Sequence, residues 1–377
     1  MPNDGSRLII PTSEARPHWN VRAWAEPVDP LRGAAALAVL FHHSVRQAFL
    51  DPHPLALMFG HPAVAIYFVI SGFCIHLSQA QRQAHSAEVD WRRFFYRRAR
   101  RLLPTHYTAL MASVAAGLFF RSELINRPTL PNVVSHVLMV HVWYPRFFWS
   151  INEVFWTIAI EVHLYLVYPI FLRMRDTLDG YLPVALLIGG FAVYLAAAFA
   201  LPSEWRWVGE HLFLEYWWQW ALGAYLADVY VSGSARWWTG LATARGSWLW
   251  WASIVLAAGY LYRNTMLYPL GPDWFSPLPC FLLLASLLLK SEQVRIPWLA
   301  YVGTFSYSLY LIHPVAICLG LAALGGSHGI APFICYIVSS IVAGWVFFLA
   351  VERHFLSNKQ RRHQAEIADA MPTLAAT

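Results

Sequence analysis

Apolar residues in this chain gather into long, nearly unbroken runs separated by short polar stretches, not into the alternation of a half-buried strand. The runs lie near 31–50, 62–80, 104–121, 153–172, 181–201, 211–231, 247–263, 275–290, 298–320 and 332–351. Each approaches the roughly 20 residues that a helix needs to cross hydrocarbon. The pattern predicts an all-α fold, a polytopic membrane bundle of about ten transmembrane helices. Residues 1–30 are polar and proline-rich and lack the apolar core of a signal peptide. They are expected to form a mobile cytoplasmic tail ahead of a membrane domain at 31–354. Residues 355–377 are expected to form a second cytoplasmic tail, unstructured over the last dozen residues.

Composition strengthens the membrane reading. Hydrophobic residues make up 58% of the 377, and charged residues only 13%, where a soluble domain carries roughly a quarter. The net charge of +6 is placed by topology, not by nucleic acid. With the N-terminus inside, 21 of the 27 Lys and Arg residues fall on the inner side and 6 on the outer. That asymmetry predicts an N-in, C-in orientation. The four cysteines, Cys74, Cys280, Cys318 and Cys335, all sit in apolar spans and read as packing residues. Many of the 19 tryptophans mark span ends, as interface anchors do. Segment 122–152 is the longest external connection; it is partly apolar and expected to lie along the outer interface or to fold back into the bundle.

Polar groups inside spans carry the functional signal, because an ionised side chain at mid-bilayer costs roughly 2.5–3.5 kcal/mol even on lenient scales. The first span reads LRGAAALAVLFHHSVRQAFL. Eleven steps from Arg32 to His43 make about 1,100° of helix, so the two share a face, and His43 lies about 16 Å above Arg32. His42 is turned about 80° away. In the fourth span, VFWTIAIEVHLYLVYPIFL, Glu161 is the sole carboxylate, placed about 12 Å from the outer end at a depth that matches His43. A His43–Glu161 pair is therefore expected, with the carboxylate orienting the imidazole. Helix-gluing polar contacts are the ordinary alternative.

Three further stretches stand out. WRRFFYRRARRLLP packs six arginines into ten positions at the inner face. Arg97, Arg98, Arg100 and Arg101 suit the phosphates of a cytosolic donor, or simply anionic lipid. Ser71 and Gly72 interrupt the second span at mid-depth, allowing close helix approach or a passage. FSYSLYLIHPVAI puts Ser306, Tyr310 and His313 on one late helix, as a substrate path would. Adjacent histidines diverge by about 100°, unlike an i, i+4 metal pair, and no cysteine cluster assists them, so no metal is expected.

These stretches together resemble the membrane-bound acyltransferase 3 family. LRGAAALAVLFHH is similar to its first-span Arg-to-His signature, landing on Arg32 and His43. AIYFVISGFCI resembles its phenylalanine-rich stretch, RRARRLLP its basic third-span entrance, FWTIAIEVHLYLVYP its Trp-to-Glu element and YSLYLIHP its late-span element. Ala65 stands where the family commonly has aspartate, and His163 where it often has glutamine or an aromatic. The resemblance implies a multi-pass enzyme of the bacterial cytoplasmic (inner) membrane. It would move an acyl group, in the first instance acetyl, from acyl-CoA to a hydroxylated acceptor: a glycan, a lipid-linked sugar or a secondary metabolite. His43 would serve as general base or acyl carrier, with Glu161 and Arg32 assisting. Acyl-CoA would be a co-substrate and no permanently bound cofactor is implied. Membrane lipids are the other partner expected, and no nucleic acid. A transporter or flippase using the same buried groups is the rival from a different class, and a scaffold role in glycan assembly the third.

Overall fold

The computed structural model describes residues 21–50, 59–83, 88–120, 122–202, 205, 212–232, 247–266, 276–289 and 296–370. Among the described residues the fold is all-helical, and each of the ten apolar runs coincides with helix. Three long helices come first, α1 (Val21–Ala48), α2 (Gly60–Gln83) and α3 (Trp91–Phe119). Two short helices follow, α4 (Leu130–Val137) and α5 (Pro145–Phe148). Next come α6 (Phe155–Leu166), α7 (Tyr168–Leu178), α8 (Leu182–Ala200), α9 (Phe213–Ser232), α10 (Ser247–Met266) and α11 (Pro277–Leu289). The chain closes with α12 (Pro297–Thr304), α13 (Ser306–Ala323), α14 (Ile330–Ala350) and α15 (Asn358–Ala370).

Among the described residues, five stretches are long and apolar enough to cross a membrane: Pro62–Gln83, Trp91–Phe119, Tyr168–Ala200, Ser306–Ala323 and Ile330–Phe355. On α14 the exposed residues Ile334, Val338, Val342 and Val346 recur every fourth position. Such an apolar stripe on an outward face is a lipid contact, not a solvent one. The chain is a multi-pass membrane protein.

The helical boundaries differ from the sequence expectation at three places. Helix α1 starts at Val21 and carries Pro27 and Pro30 inside it, so the last ten residues expected as tail are helical. Burial of Val28 and Leu31 against the α2, α9 and α11 cluster explains why tertiary packing overrides the prolines. Helix α3 starts at Trp91, capped by the Asp90 carboxylate accepting from the Arg93 amide at 3.0 Å, and the basic run forms its first turns. Residues 358–370, expected as tail, form α15. Residues 1–20 and 371–377 lie outside the described residues.

Segment 122–154 folds back into the bundle. Leu124, Ile125, Phe148, Ile151 and Asn152 are fully buried, and Asn152 donates to Ser113 Oγ at 2.9 Å on α3 and to Leu311 O at 3.2 Å on α13. As a result α6 begins inside the protein, with Phe155 fully buried at its first residue.

Close crossings hold the frame. A Cβ on Gly72 would overlap the Trp220 carbonyl, and one on Gly223 the Val69 carbonyl, so α2 and α9 touch backbone to backbone. In a membrane such contact replaces hydrophobic driving force with van der Waals packing. Gly72→Leu or Gly223→Leu is therefore expected to lower stability by about 1–3 kcal/mol from overpacking. Gly189→Ala, with nothing near its added carbon, should match wild type in detergent melting by fluorescence-detected size exclusion.

Candidate active site

Two cavities open into the bundle and meet at shared residues. The first, of about 320 Å³, is lined by Arg32 of α1, Ser71 and Cys74 of α2, Arg98 and Arg101 of α3, Glu161 and Tyr165 of α6, and Ser306 and Tyr310 of α13. We call it the arginine cavity. The second, of about 240 Å³, is lined by His42, His43 and Arg46 of α1, by Trp149, Glu153 and Trp156, and by Tyr310. We call it the histidine cavity. Val64 and Tyr310 belong to both linings. The Tyr310 hydroxyl lies 2.8 Å from Thr157 Oγ1, and its ring packs edge-on against Tyr67 at 5.6 Å. Tyr310 is the partition.

The expected His43–Glu161 pair does not form. Glu161 accepts from Ser71 Oγ at 2.8 Å and from the Tyr165 hydroxyl, one helical turn on, inside the arginine cavity. His43 Nδ1 instead lies 2.7 Å from His313 Nε2, with the rings stacked at a centroid distance of 5.0 Å. The reason is geometric: the start of this span near residue 153 is itself buried and not at the outer surface, which sets Glu161 farther into the bundle.

The histidine pair has a defined proton order. His313 Nδ1 sits 3.1 Å from Leu309 O, a carbonyl that only accepts. Nδ1 of His313 therefore carries the hydrogen, and its Nε2 accepts from His43 Nδ1. A neutral His43 is thus left with its lone pair on Nε2. Beside it Arg46 binds Glu153 through both carboxylate oxygens, at 2.7 and 2.9 Å, and reaches Glu123 at 3.3 Å.

Helix phase sorts the arginines of α3. Arg98 and Arg101, three positions apart, line the cavity; Arg97 and Arg100 are exposed on the other side. Arg98 lies over the Phe94 ring at 5.5 Å. Arg101 pairs with Glu352 at 2.8 Å, and Glu352 is fully buried, accepting from Ser308 through its amide at 3.1 Å and its hydroxyl at 2.5 Å. Among the other expected path residues, Ser306 lines the arginine cavity, His313 supports His43, and Gly72 packs against Trp220 without lining either cavity. His163 faces elsewhere, taking the indole N–H of Trp143 at 2.9 Å.

Sequence reasoning missed Glu352, Glu153, Tyr165 and Tyr67. Glu352 stood in plain view as an acid at the end of the last apolar run, and Tyr165 one turn from Glu161. Nothing local marks Glu153 or Tyr67.

Comparison with known proteins agrees with this architecture. A family model described as an acyltransferase domain matches residues 28–349. The chain belongs to the acyltransferase 3 family. Within it, the chain is similar to acyltransferase MdmB of Streptomyces mycarofaciens, 25% identical across 80% of this chain and 81% of that protein. It is 24% identical to the putative acetyltransferase ORF330 of Acidianus two-tailed virus, across 78% of this chain and 86% of that one. A partial match, 26% identical, joins 40% of this chain to 24% of the peptidoglycan O-acetyltransferase OatA of Listeria monocytogenes. No solved structure matches significantly. As a member of the acyltransferase 3 family, the chain is an integral-membrane acyltransferase. The matched domain ends at 349, ahead of Glu352 and α15.

Removing Glu352 strands a mostly buried guanidinium, which costs about 3–5 kcal/mol when one partner of such a pair is lost. Glu352→Ala should give little monodisperse protein. Glu352→Gln, which keeps an acceptor for Ser308, should fall between it and wild type in melting temperature.

Proposed function

We propose that this acyltransferase moves an acetyl group from acyl-CoA in the arginine cavity to a hydroxyl held in the histidine cavity. The chain crosses the bacterial cytoplasmic membrane about ten times with both ends inside, so the arginine cavity opens to the cytosol and the histidine cavity to the opposite face. The distribution of Lys and Arg supports this orientation.

The observation that carries the reading is the His43–His313 contact at 2.7 Å. It leaves His43 Nε2 as a base, with His313 fixing its tautomer, the task a carboxylate performs in hydrolytic triads. His43 takes the proton of the acceptor hydroxyl as that oxygen attacks the thioester carbonyl. The C–S bond breaks, the C–O ester bond forms, and the proton passes from His43 to the departing thiolate to give free CoA. Arg32, Arg98 and Arg101 offer guanidinium forks to the donor's phosphates. Glu161 orients Tyr165 and Ser71 in the wall that the donor passes. Tyr310 stands between the two substrates.

For the acceptor, Trp149 and Trp156 beside the Arg46–Glu153 pair offer aromatic faces and polar atoms together, a combination that suits a sugar ring. The partial likeness to OatA, a peptidoglycan O-acetyltransferase, supports a glycan. Acetyl as the group transferred rests on the same relative.

With purified protein in liposomes, His43→Ala should lose transfer, read as CoA release coupled to acceptor acylation. General-base loss corresponds to about 10²–10⁴ in rate. His313→Ala should lower kcat while leaving the donor KM near wild type, and His42→Ala should keep most activity. An active His43→Ala beside a dead His42→Ala would sink the assignment. Uptake of an intact solute with no CoA released would sink acyl transfer itself.

A further inference from the structure

The last helix is more than a tail. It opens with S-N-K-Q at 357–360, in which the Gln360 amide donates to Ser357 Oγ at 3.3 Å and Gln360 Oε1 accepts from the Ser357 amide at 3.0 Å. That reciprocal arrangement is a capping box, a local reason for α15 to begin where it does. From this start the helix packs against α1 and α12. His363 Nε2 lies 2.6 Å from Asp29 Oδ2 on α1, and Gln364 donates to Thr304 O at 3.1 Å on α12. Gln360, His363 and Asp29 all line the arginine cavity. Yet α15 lies wholly beyond the matched domain, which ends at 349.

We propose that α15 is a strap that completes the donor cavity, so that retention of acyl-CoA depends on Gln360 and on the Asp29–His363 contact that holds the strap in place. This rests on the reading of the arginine cavity as the donor site. His363 acts here as a positioning residue. Its neighbours define how the contact responds to pH. Asp29 faces it from α1, Glu366 and Lys359 from its own helix, and α12 brings a backbone carbonyl and no charged side chain. The hydrogen bond from His363 to Asp29 raises the imidazole above its ordinary range, against the opposing effect of burial. A raised imidazole means that the contact is at full strength below the ordinary histidine range and weakens as pH climbs through the raised value.

Cys74 supplies a readout independent of catalysis, because it is half-buried and lines the same cavity. In inside-out vesicles, with Cys335 replaced by serine, a membrane-impermeant thiol reagent should label Cys74 slowly in the full chain. Truncation after Ser357, His363→Ala and Asp29→Asn should each speed labelling several-fold. The same variants should raise the acyl-CoA KM about tenfold, the scale of one charge-assisted contact, with kcat changed little. The labelling ratio of truncated to full chain should shrink toward one as pH rises, a comparison that cancels the chemistry of the thiol itself. Unchanged labelling and KM in all three variants would overturn the strap, and so would a lower KM on truncation, which would mark the helix as an obstruction. If the full chain releases no CoA at all, the acyl-transfer reading fails, and the labelling arm still decides whether α15 closes the cavity.

Discussion

The bond between the Tyr310 hydroxyl and Thr157, at 2.8 Å, lies where the two cavities meet, and the helix that carries it organises the site around it. Successive turns of α13 each satisfy a polar group that hydrocarbon would otherwise strand. Ser308 binds Glu352 and through it Arg101; Tyr307 donates to Leu102 O at 3.1 Å; Tyr310 binds Thr157; His313 binds His43. One helix therefore ties α1, α3, α6 and the turn that follows α14 into fixed relative positions. A shift of α13 would break the partition, the histidine pair and the arginine anchor together. That shared dependence is why serines, tyrosines and a histidine are tolerated in a helix that is buried continuously from Ser308 to Cys318.

The spans were legible because their apolar length has one economical explanation. The polar residues inside them were legible because each carries a cost that needs a return, and Arg32, His43, Ser71, Ser306, Tyr310 and Arg98 all line a cavity. Depth was not legible. Counting residues from a loop places Glu161 correctly only if the loop lies at the membrane surface, and the burial of Ile151 and Asn152 shows that this one does not. Phase along α3 was recoverable in principle: continuing the helix back through the basic run sets Arg98 and Arg101 on one side and Arg97 and Arg100 on another. The tails misled for a different reason. Proline and charge are usual marks of disorder, yet here Pro27 and Pro30 sit in a packed helix and S-N-K-Q is a helix-start signal.

The balance of charge around the arginine cavity is the remaining constraint. Three guanidiniums line it, from Arg32, Arg98 and Arg101, against the carboxylates of Asp29 and Glu161, with Glu352 just behind. A purely cationic hollow would bind a polyanion strongly, but between turnovers it would hold uncompensated charge at low dielectric, where each ion costs several kcal/mol. Arg101 is paired with Glu352, and Asp29 and Glu161 share the lining with Arg32 and Arg98, which offsets the cationic charge of the hollow. The opposite cavity follows the same rule, with Arg46 held by Glu153 and Glu123. His43 lies beside the Arg46 pair in the same cavity, but its own partner is the His313 ring and not a carboxylate. Its orientation then comes from a ring that itself hydrogen-bonds a backbone carbonyl, so fixing His43 brings no further carboxylate into a cavity that already holds Glu153.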